Sequence, residues 1–297
     1  MTTYAISPLL HRTIEHPPHH RSSAPPNIPR RRPGPIAPGT PLPPSDSLTI
    51  FFPAWNEEAG LERTVVAALE AGDRLCAAGQ LGGIEVLIVD DASTDGTAAI
   101  ADALAAADER VRVVHHAVNR GLGGAIRTGL DTATGDLVLY TDADLPFDLA
   151  ELDKAVRVSR VYDADVVSLY RLDRTGEGPR RFVYSFIYNH LVRLLFGLRV
   201  RDVNFAGKLV TRRVLDAVDL HSEGSFIDVE LLVQAQRRGF NIMQFGVDYF
   251  PRTRGVSTLS SWSVIGGIVR ELVTLRRQLV GITPAGSTTG PTSTGAA

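Results

Sequence analysis

The chain has 297 residues, of which 44% are hydrophobic and 22% charged, so it is long enough to bury one large core or two small ones. Its formal net charge of −2 gives no electrostatic reason to expect a nucleic-acid partner. The single cysteine, Cys76, excludes an intramolecular disulfide framework and is typical of a reducing compartment. We therefore expect a cytoplasmic globular protein.

Both ends of the chain have the composition of flexible tails. Residues 1–46 hold most of the 18 prolines, and residues 282–297 are rich in Gly, Ser and Thr. Proline removes a backbone donor and disfavours helix before it, so we interpret residues 1–46 as disordered. The N-terminus lacks the apolar core of a secretory signal, and no apolar run reaches the roughly 18–20 residues that span a bilayer. The folded domain is predicted at residues 47–281.

In the first half of this domain, apolar runs alternate with helical patterns. The predicted strands cover residues 48–55, 84–91, 111–117, 136–144 and 164–171, and the predicted helices cover about 57–79, 95–108, 121–132 and 148–161. Continuous Val, Ile and Leu runs are typical of strands buried on both faces. The alternation predicts right-handed crossovers and an α/β fold with a mostly parallel central sheet flanked by helices.

The second half of the domain is less regular. Two amphipathic segments, about 180–200 and 259–279, carry basic, aliphatic and aromatic side chains. Between them we predict a short helix near Thr211, a helix at about 226–238 and a strand at 240–250. A basic amphipathic helix can lie in a membrane interface, and an ordinary core helix has the same periodicity, so both interpretations stay open.

Three predicted strands end in polar clusters. "PAWNEE" (53–58) follows the first strand, "DDASTDGT" (90–97) follows the second, and "DAD" (142–144) follows the fourth. Ligands of open parallel sheets bind outside the carboxyl ends of the strands, so the three clusters together predict a ligand site. Helix capping is the alternative for the first two clusters. Capping does not require two carboxylates at a buried strand end, where they repel each other and lose hydration.

Asp142 and Asp144 give the sharpest chemical signal. A bend at the strand end would let both carboxylates approach one ligand, although in extended backbone they point to opposite faces. Their oxygens suit a hard cation such as Mg²⁺ or Mn²⁺, which keeps waters and binds phosphate oxygens. The alternative is a solvated acidic turn.

The glycines of "NRGLGGAIRTG" (119–129) do not form the dinucleotide-binding fingerprint. They follow the third strand instead of the first, and the third glycine of the pattern is missing. One interpretation is a tight turn into a helix that packs close to the sheet, and the other is a close approach of the backbone to a ligand. The adjacent His115 and His116 point to opposite faces of a strand, so we interpret them as structural and not as a metal pair.

In order and spacing, "FPAWNEE", "VDDASTDGT", "NRGLGGAIRTGL" and "DADL" resemble the family 2 glycosyltransferases of the GT-A fold. In the second half, "RDVNFAGKLVTRRVL", "SFIDVELLVQAQRRGFNI" and "PRTRGVSTLS" resemble the branch of dolichyl- and polyprenyl-phosphate mannosyl- and glucosyltransferases. The resemblance covers about residues 47–280. It implies a Rossmann-like nucleotide-diphospho-sugar transferase domain that moves mannose or glucose, with inversion, to a polyprenyl or dolichyl phosphate at the cytoplasmic face of a membrane.

The resemblance also implies roles for single residues. Those that would contact the nucleotide-sugar, GDP-mannose or UDP-glucose, are Pro53, Trp55, Glu57, Val89, Asp91, Asp142, Ala143, Arg171, Lys208 and Arg252. Asp142 and Asp144 would hold Mg²⁺ or Mn²⁺ on the diphosphate. The catalytic candidates are Asp144, Asp228 and Arg254. Three positions depart from the usual pattern of the family: Trp55 replaces Tyr, Pro146 replaces Gln, and Asn204 replaces a small or hydroxyl residue.

The acceptor decides whether a general base is needed. A hydroxyl acceptor needs one, and Asp228 and Glu230 are the candidates, whereas a phosphate is already anionic near neutral pH. Helix-dipole stabilisation is the alternative role of these two carboxylates. We expect a polyprenyl phosphate acceptor and peripheral contact with the inner face of the membrane. The alternatives are a soluble glycosyltransferase that acts on a small-molecule or glycan hydroxyl, and a non-catalytic nucleotide-sugar binder.

Overall fold

A computed structural model describes residues 47–173 and 179–250 of the chain. The elements in chain order are β1 (Ser47–Ala54), α1 (Leu61–Ala77), β2 (Gly83–Asp90), α2 (Thr97–Ala107), β3 (Val111–His115), α3 (Gly121–Thr132), β4 (Leu137–Tyr140), α4 (Glu151–Val161), β5 (Val166–Arg171), α5 (Pro179–Phe196), β6 (Lys208–Thr211), α6 (Arg212–Leu215), α7 (Ile227–Arg237) and β7 (Ile242–Val247). The predictions for both tails, the segment 259–279, Arg252 and Arg254 lie outside the described residues.

The seven strands form one sheet in the order β3-β2-β1-β4-β6-β5-β7. Strand β6 runs antiparallel to its neighbours β4 and β5, and the other pairs are parallel. The predicted α/β class and the mostly parallel sheet are confirmed. Strand β6 was not predicted, because its four residues are too few to show a period and all four are buried.

Both faces of the central strands are covered. Leu48, Ile50 and Phe52 of β1 belong to a core cluster that includes buried residues of α1, α2 and α4. Phe51, between them, belongs to a second cluster with residues of α3 on the other face. Successive side chains of a strand point to opposite faces, so a strand covered on both sides is apolar without alternation. This burial explains the continuous apolar runs of the sequence.

The sheet order creates a crevice beside β1. From β1 the chain proceeds to β2 and β3 on one side, and β4 then lies on the other side of β1. Such a reversal of strand order separates the loops at the carboxyl ends of the strands and is where open α/β sheets bind ligands. The polar clusters at the ends of β1, β2 and β4 therefore border the same crevice.

Helix α3 packs unusually close to its neighbours. A Cβ atom on Gly123 would lie 2.5 Å from the backbone of Glu223 and from the carbonyl oxygen of Ser222, and Gly123 N–H donates to the Glu223 carbonyl at 2.9 Å. A Cβ atom on Gly129 would overlap the ring of Phe51 in β1. These contacts favour the interpretation of a helix packed close to the sheet, and the backbone that approaches Gly123 is the chain's own.

Within the two described ranges, no helix has an apolar stretch long enough to cross a bilayer.

Candidate active site

The loops after β1 and β2 are tied to each other by hydrogen bonds. Asn56 N–H donates to Ser93 Oγ at 3.0 Å, and Asn56 Oδ1 accepts from Thr94 N–H at 2.8 Å. Glu57 N–H donates to Thr97 Oγ1 at 2.8 Å. Because residues 56 and 57 make these contacts, α1 begins at Leu61 and not at Glu57 as predicted. The polar residues of both clusters thus build one rigid rim of the crevice.

Three non-glycine residues on this edge have left-handed backbones. Asn56 (φ 56°) follows β1, Ala92 (φ 58°) follows β2, and Leu145 (φ 53°) follows the acidic pair after β4. Such conformations are uncommon outside glycine, and they concentrate at functional sites. Their occurrence after three strands that border one crevice supports a ligand site there.

The first carboxylate after β2 is paired with a histidine of β3. His115 Nδ1 lies 2.9 Å from Asp90 Oδ2, and Ser93 N–H donates to Asp90 Oδ1 at 3.1 Å. Burial acts to raise the pKa of Asp90, but hydrogen bonds from Ser93 and His115 outweigh it and hold the pKa below its ordinary value. The hydrogen bond to Asp90 raises the pKa of His115, and a second contact with Asp102 at 3.2 Å adds to this effect.

The second carboxylate is paired with the next histidine. His116 Nδ1 lies 2.6 Å from Asp91 Oδ1, and Arg120 N–H donates to the same oxygen at 2.7 Å. His116 Nε2 lies 2.9 Å from Thr128 Oγ1 on α3. The two histidines therefore have separate partners, one aspartate each.

The acidic pair after β4 lies on a sharp turn. Leu145 N–H donates to the Asp142 carbonyl at 3.3 Å, and Ala143, between the two aspartates, is buried with its carbonyl accepting from Thr64 Oγ1 at 2.5 Å. Asp142 and Asp144 are both partly exposed. Within residues 47–173 and 179–250, no group of three or more His, Cys, Asp or Glu side chains could hold a metal ion. Two carboxylates fit a cation that takes its remaining ligands from substrate phosphates and water, as Mg²⁺ does.

Pro146 has a structural contact of its own. Its carbonyl accepts from Phe250 N–H at 2.9 Å, and the residue is buried. This contact ties the segment after β7 to the turn that carries the acidic pair.

The residues predicted to contact the nucleoside have different environments. Trp55 is 52% exposed at the end of β1, and Glu57 is partly exposed. Pro53 pairs with Val89 of β2 in the ladder. Val89 is fully buried in the core cluster beside α3, so its side chain does not face the crevice. Among these four residues, Trp55 offers the large exposed apolar surface.

Arg171, a predicted phosphate contact, is engaged inside the protein. Its Nε donates to Asp202 Oδ2 at 2.8 Å and its Nη2 to Oδ1 at 3.0 Å, and both side chains are buried. The guanidinium also lies over the rings of Phe205 and Tyr249, at 5.7 and 5.2 Å from their centroids. A two-point contact of this kind, with stacking, fixes the orientation of Arg171.

Lys208, the second predicted phosphate contact, is fully buried. Its Nζ lies 2.8 Å from Asp228 Oδ1 and donates to the Phe205 carbonyl at 2.8 Å and to Tyr140 Oη at 3.1 Å. Burial lowers the pKa of Lys208 to about 7, against the opposing effect of nearby carboxylates such as Asp142. Burial likewise raises the pKa of Asp228 well above its ordinary value. In this conformation Lys208 is not exposed to a ligand, and Asp228 faces an ammonium group instead of solvent.

Glu230, the other candidate base, holds a loop. Its carboxylate accepts from His221 N–H at 3.0 Å and from Ser222 N–H at 2.8 Å. Burial raises the pKa of Glu230 although these hydrogen bonds act in the opposite direction. The carboxylate thus supports the loop that Gly123 of α3 contacts.

Three contributors to this region were not identified from the sequence: His116, Arg120 and Asp202. The first two hold Asp91, and Asp202 holds Arg171. The contacts between the aspartates and the histidines could be predicted only from the sheet order, because they depend on the pairing of β2 with β3, in which Asp90 lies opposite His115.

Three relatives illustrate what the chain is similar to. Glycosyltransferase AglD of Haloferax volcanii is 36% identical over 69% of this chain and 33% of its own length. Polyprenol monophosphomannose synthase of Mycolicibacterium smegmatis is 31% identical over 74% of this chain and 84% of its own. Human dolichyl-phosphate beta-glucosyltransferase is 28% identical over 74% of this chain and 72% of its own length. The chain thus spans about a third of the archaeal relative.

Solved structures support the same fold. Glucosyl-3-phosphoglycerate synthase from Mycobacterium tuberculosis, in complex with phosphoglyceric acid, has a TM-score of 0.59 at 21% identity and covers 81% of this chain and 82% of its own. The same enzyme with Mn²⁺, UDP-glucose and phosphoglyceric acid has a TM-score of 0.56 at 21% identity, with the same coverage. At this level of identity the likeness shows the fold, which is that of the GT-A glycosyltransferases.

The family model described as glycosyl transferase family 2 matches residues 49–218, more than half of the chain and all three polar strand ends. The chain therefore belongs to glycosyl transferase family 2.

Proposed function

We propose that the protein transfers a hexose, mannose or glucose, from a nucleotide-diphosphate sugar to polyprenyl or dolichyl phosphate with inversion. Family membership supports sugar transfer. The names of two relatives, polyprenol monophosphomannose synthase and dolichyl-phosphate beta-glucosyltransferase, support this class of acceptor.

The observation that carries the acceptor class is the engagement of both candidate bases. Asp228 is buried 2.8 Å from the Lys208 ammonium, and Glu230 accepts hydrogen bonds from two backbone N–H groups. A hydroxyl acceptor would need a carboxylate within reach to take its proton. A phosphate acceptor is already anionic and needs no such group. The described site is therefore better suited to an anionic acceptor than to an alcohol.

The donor would bind across the ends of β1, β2 and β4. Trp55 and Asp91 would contact the nucleoside, and Asp142 and Asp144 would hold Mg²⁺ or Mn²⁺ on the diphosphate. When bound, the cation stabilises the negative charge of the leaving group. The Thr64 hydroxyl fixes the carbonyl of Ala143 and so holds the turn between the two carboxylates. Arg252 and Arg254 remain predicted phosphate contacts.

Arg171 and Lys208 would act in this site as positioning residues. Arg171 holds Asp202 and stacks on Phe205, and Lys208 joins the Phe205 carbonyl to Asp228. Lys208 also interacts electrostatically with Asp142 of the acidic pair. These contacts connect the end of β5 and the start of β6 to the start of α7.

Helix α5 supports peripheral contact with a membrane. Its buried face carries Val192 and Phe196, which pack in the core. The side chains on the opposite face are exposed and apolar: Phe186, Ile187, Leu191 and Leu194. Exposed arginines lie beside it at 193 and 199. A lipid-linked acceptor and an anionic leaflet at the inner face of the membrane would fit this combination.

A panel of donors and acceptors tests the proposal. GDP-mannose and UDP-glucose are incubated with polyprenyl phosphate or with the free polyprenol, in Mn²⁺ or in EDTA. We expect a glycolipid only with the phosphate and only with the metal. Transfer to the free alcohol or to water-soluble hydroxyls alone would favour the soluble alternative, and donor binding without any transfer would favour a non-catalytic binder.

The acidic pair is tested by the substitution Asp144→Asn. Removing one charged oxygen ligand should lower the rate of transfer by on the order of a hundredfold or more, because charge stabilisation of the leaving group is lost. Asp148→Asn is the matched control, since Asp148 is an exposed aspartate four residues away whose Oδ1 accepts from Ala150 N–H at 2.8 Å, a hydrogen bond that the Asn side-chain oxygen can also accept. Equal activity of both variants would refute the metal assignment.

A further inference from the structure

The two carboxylate oxygens of Asp91 have unequal surroundings. Oδ1 accepts from Arg120 N–H at 2.7 Å and lies 2.6 Å from His116 Nδ1. An ionised carboxylate can only accept hydrogen bonds, so Nδ1 is the donor, and the two donors together occupy both lone pairs of Oδ1. Among residues 47–173 and 179–250, none donates a hydrogen bond to Oδ2, although the Asp91 side chain is only 5% exposed. Oδ2 does not belong to the fully buried side-chain atoms without a hydrogen-bond partner, so it is the oxygen of Asp91 that is open to a donor group of a ligand.

His116 cannot easily leave this position. Its side chain is 6% exposed, its Nε2 lies 2.9 Å from Thr128 Oγ1, and its backbone N–H donates to the Asp90 carbonyl at 2.9 Å. The Asp91 carbonyl in turn accepts from Asn119 Nδ2 at 3.1 Å. The orientation of the Asp91 carboxylate is therefore fixed by the connection between β3 and α3 before any ligand binds.

We infer that His116 is a specificity-determining residue, which occupies Oδ1 of Asp91 and thereby selects a uridine diphosphate donor over a guanosine diphosphate donor. The inference rests on the proposed function, in which Asp91 contacts the nucleoside.

The hydrogen-bonding edges of the two bases differ in the number of adjacent donors. Uracil presents a single N–H between two carbonyl groups, which one carboxylate oxygen can satisfy. Guanine presents a ring N–H and an amino group side by side, and a carboxylate satisfies this pair with both oxygens. With Oδ1 occupied, one guanine donor would stay unpaired or would have to displace His116. A site that leaves a buried polar group unpaired discriminates strongly against that ligand.

The test measures dissociation constants of UDP and GDP for the full chain in Mn²⁺ by calorimetry. We expect UDP to bind at least tenfold more tightly than GDP. His116→Ala frees Oδ1 and should bring the ratio towards one, and His116→Leu repeats this test with a side chain that fills the space. His116→Asn places an amide donor near the position of Nδ1 and should keep the preference for UDP. Thermal unfolding of each variant verifies that it is folded.

Two results would overturn the inference alone: equal or tighter binding of GDP by the unsubstituted chain, or an unchanged ratio in folded His116→Ala and His116→Leu. If neither nucleotide binds, the inference fails together with the donor part of the proposed function. The two failures are therefore distinguishable.

Discussion

At the residue scale, two aspartates at the end of β2 face two histidines at the end of β3. Asp90 pairs with His115 and Asp91 with His116, at 2.9 and 2.6 Å. The sequence indicated that the histidines do not share a metal, because neighbouring side chains of a strand point apart. It could not indicate their partners, because that requires the knowledge that β2 and β3 adjoin in register. Side-chain contacts between strands that are distant in sequence depend on the sheet order.

The partners of the basic side chains Arg171 and Lys208 could not be predicted from the sequence either. Arg171 and Lys208 were predicted at phosphates, and in the structure both are buried in ion pairs with Asp202 and Asp228. A sequence motif gives the position of a side chain along the chain, whereas its partner is decided by packing. The burial of Lys208 changes its expected role from a ligand contact to a residue that holds the Phe205 carbonyl and Asp228.

The substitution Lys208→Met should destabilise the protein, because it leaves the buried carboxylate of Asp228 without its partner. We expect the free energy of unfolding to fall by about 3–5 kcal/mol at pH 6.5, below the pKa of Lys208, the usual loss when one partner of a buried ion pair is removed. Burial raises the pKa of Asp228, so in the variant the folded state retains a proton that the unfolded state releases above about pH 4. Stability of Lys208→Met should therefore be higher at pH 5 and decrease as the pH rises towards the folded pKa.

Urea unfolding at pH 5 and pH 6.5 measures this effect. In the control Lys208→Met/Asp228→Asn the buried group no longer titrates, so the additional loss between pH 5 and pH 6.5 should disappear. A loss in Lys208→Met that is the same at both pH values would contradict the assignment of a buried, charge-compensated pair.

At the scale of elements, α3 links the strands to the loop before α7. Gly123 touches the backbone at 222–223, and Arg127 donates to the His221 carbonyl at 2.9 Å. Glu230 holds the same loop from the other side through the N–H groups of His221 and Ser222. The helix that follows the strand bearing His115 thus positions the helix that carries Asp228.

Gly123→Ala should destabilise the protein. The new Cβ would lie 2.5 Å from backbone atoms, which cannot rotate away, so the loop or the helix must shift. We expect a loss of about 1–3 kcal/mol in the free energy of unfolding, as for other overpacked sites. Gly83→Ala is the control, because a Cβ there has no atom within 4 Å, and it should be neutral or slightly stabilising. Urea denaturation of the two variants gives the comparison, and equal stability would contradict the close contact.

The elements show what the sequence could predict. The long apolar runs and helical periods of the first half gave the order and the approximate bounds of β1 to β5 and α1 to α4. The start of α1 was placed too early, because Glu57 is held by Thr97 of α2, a contact distant in sequence. The strand β6 was missed, although it separates β4 from β5 in the sheet. Its antiparallel insertion brings Lys208 beside Tyr140, and that position could not be inferred from strand-helix alternation.

At the scale of the whole molecule, the crevice and the exposed face of α5 would contact different parts of the proposed acceptor and its surroundings. A polyprenyl phosphate has an anionic head for the crevice and an apolar chain for a lipid environment. Helix α5 is the described element that exposes several large apolar side chains on one side, while its other side packs against the core around α7. A protein that acts on such an acceptor needs both features in one folded unit.

The double substitution Phe186→Ser/Leu194→Ser should therefore weaken membrane binding without unfolding the protein. Both side chains are largely exposed, at 65% and 73%, so their removal costs little packing in the described structure. Binding to vesicles that contain anionic lipid should fall by tenfold or more in co-sedimentation, because about 0.8 kcal/mol is lost for each CH₂ group withdrawn from the lipid and the two side chains carry several such groups. The control Val161→Ser removes an apolar side chain of similar exposure, 69%, from α4 and should not change the bound fraction. If the double variant instead unfolds at lower temperature with unchanged vesicle binding, the face is covered by protein and the membrane-contact proposal fails.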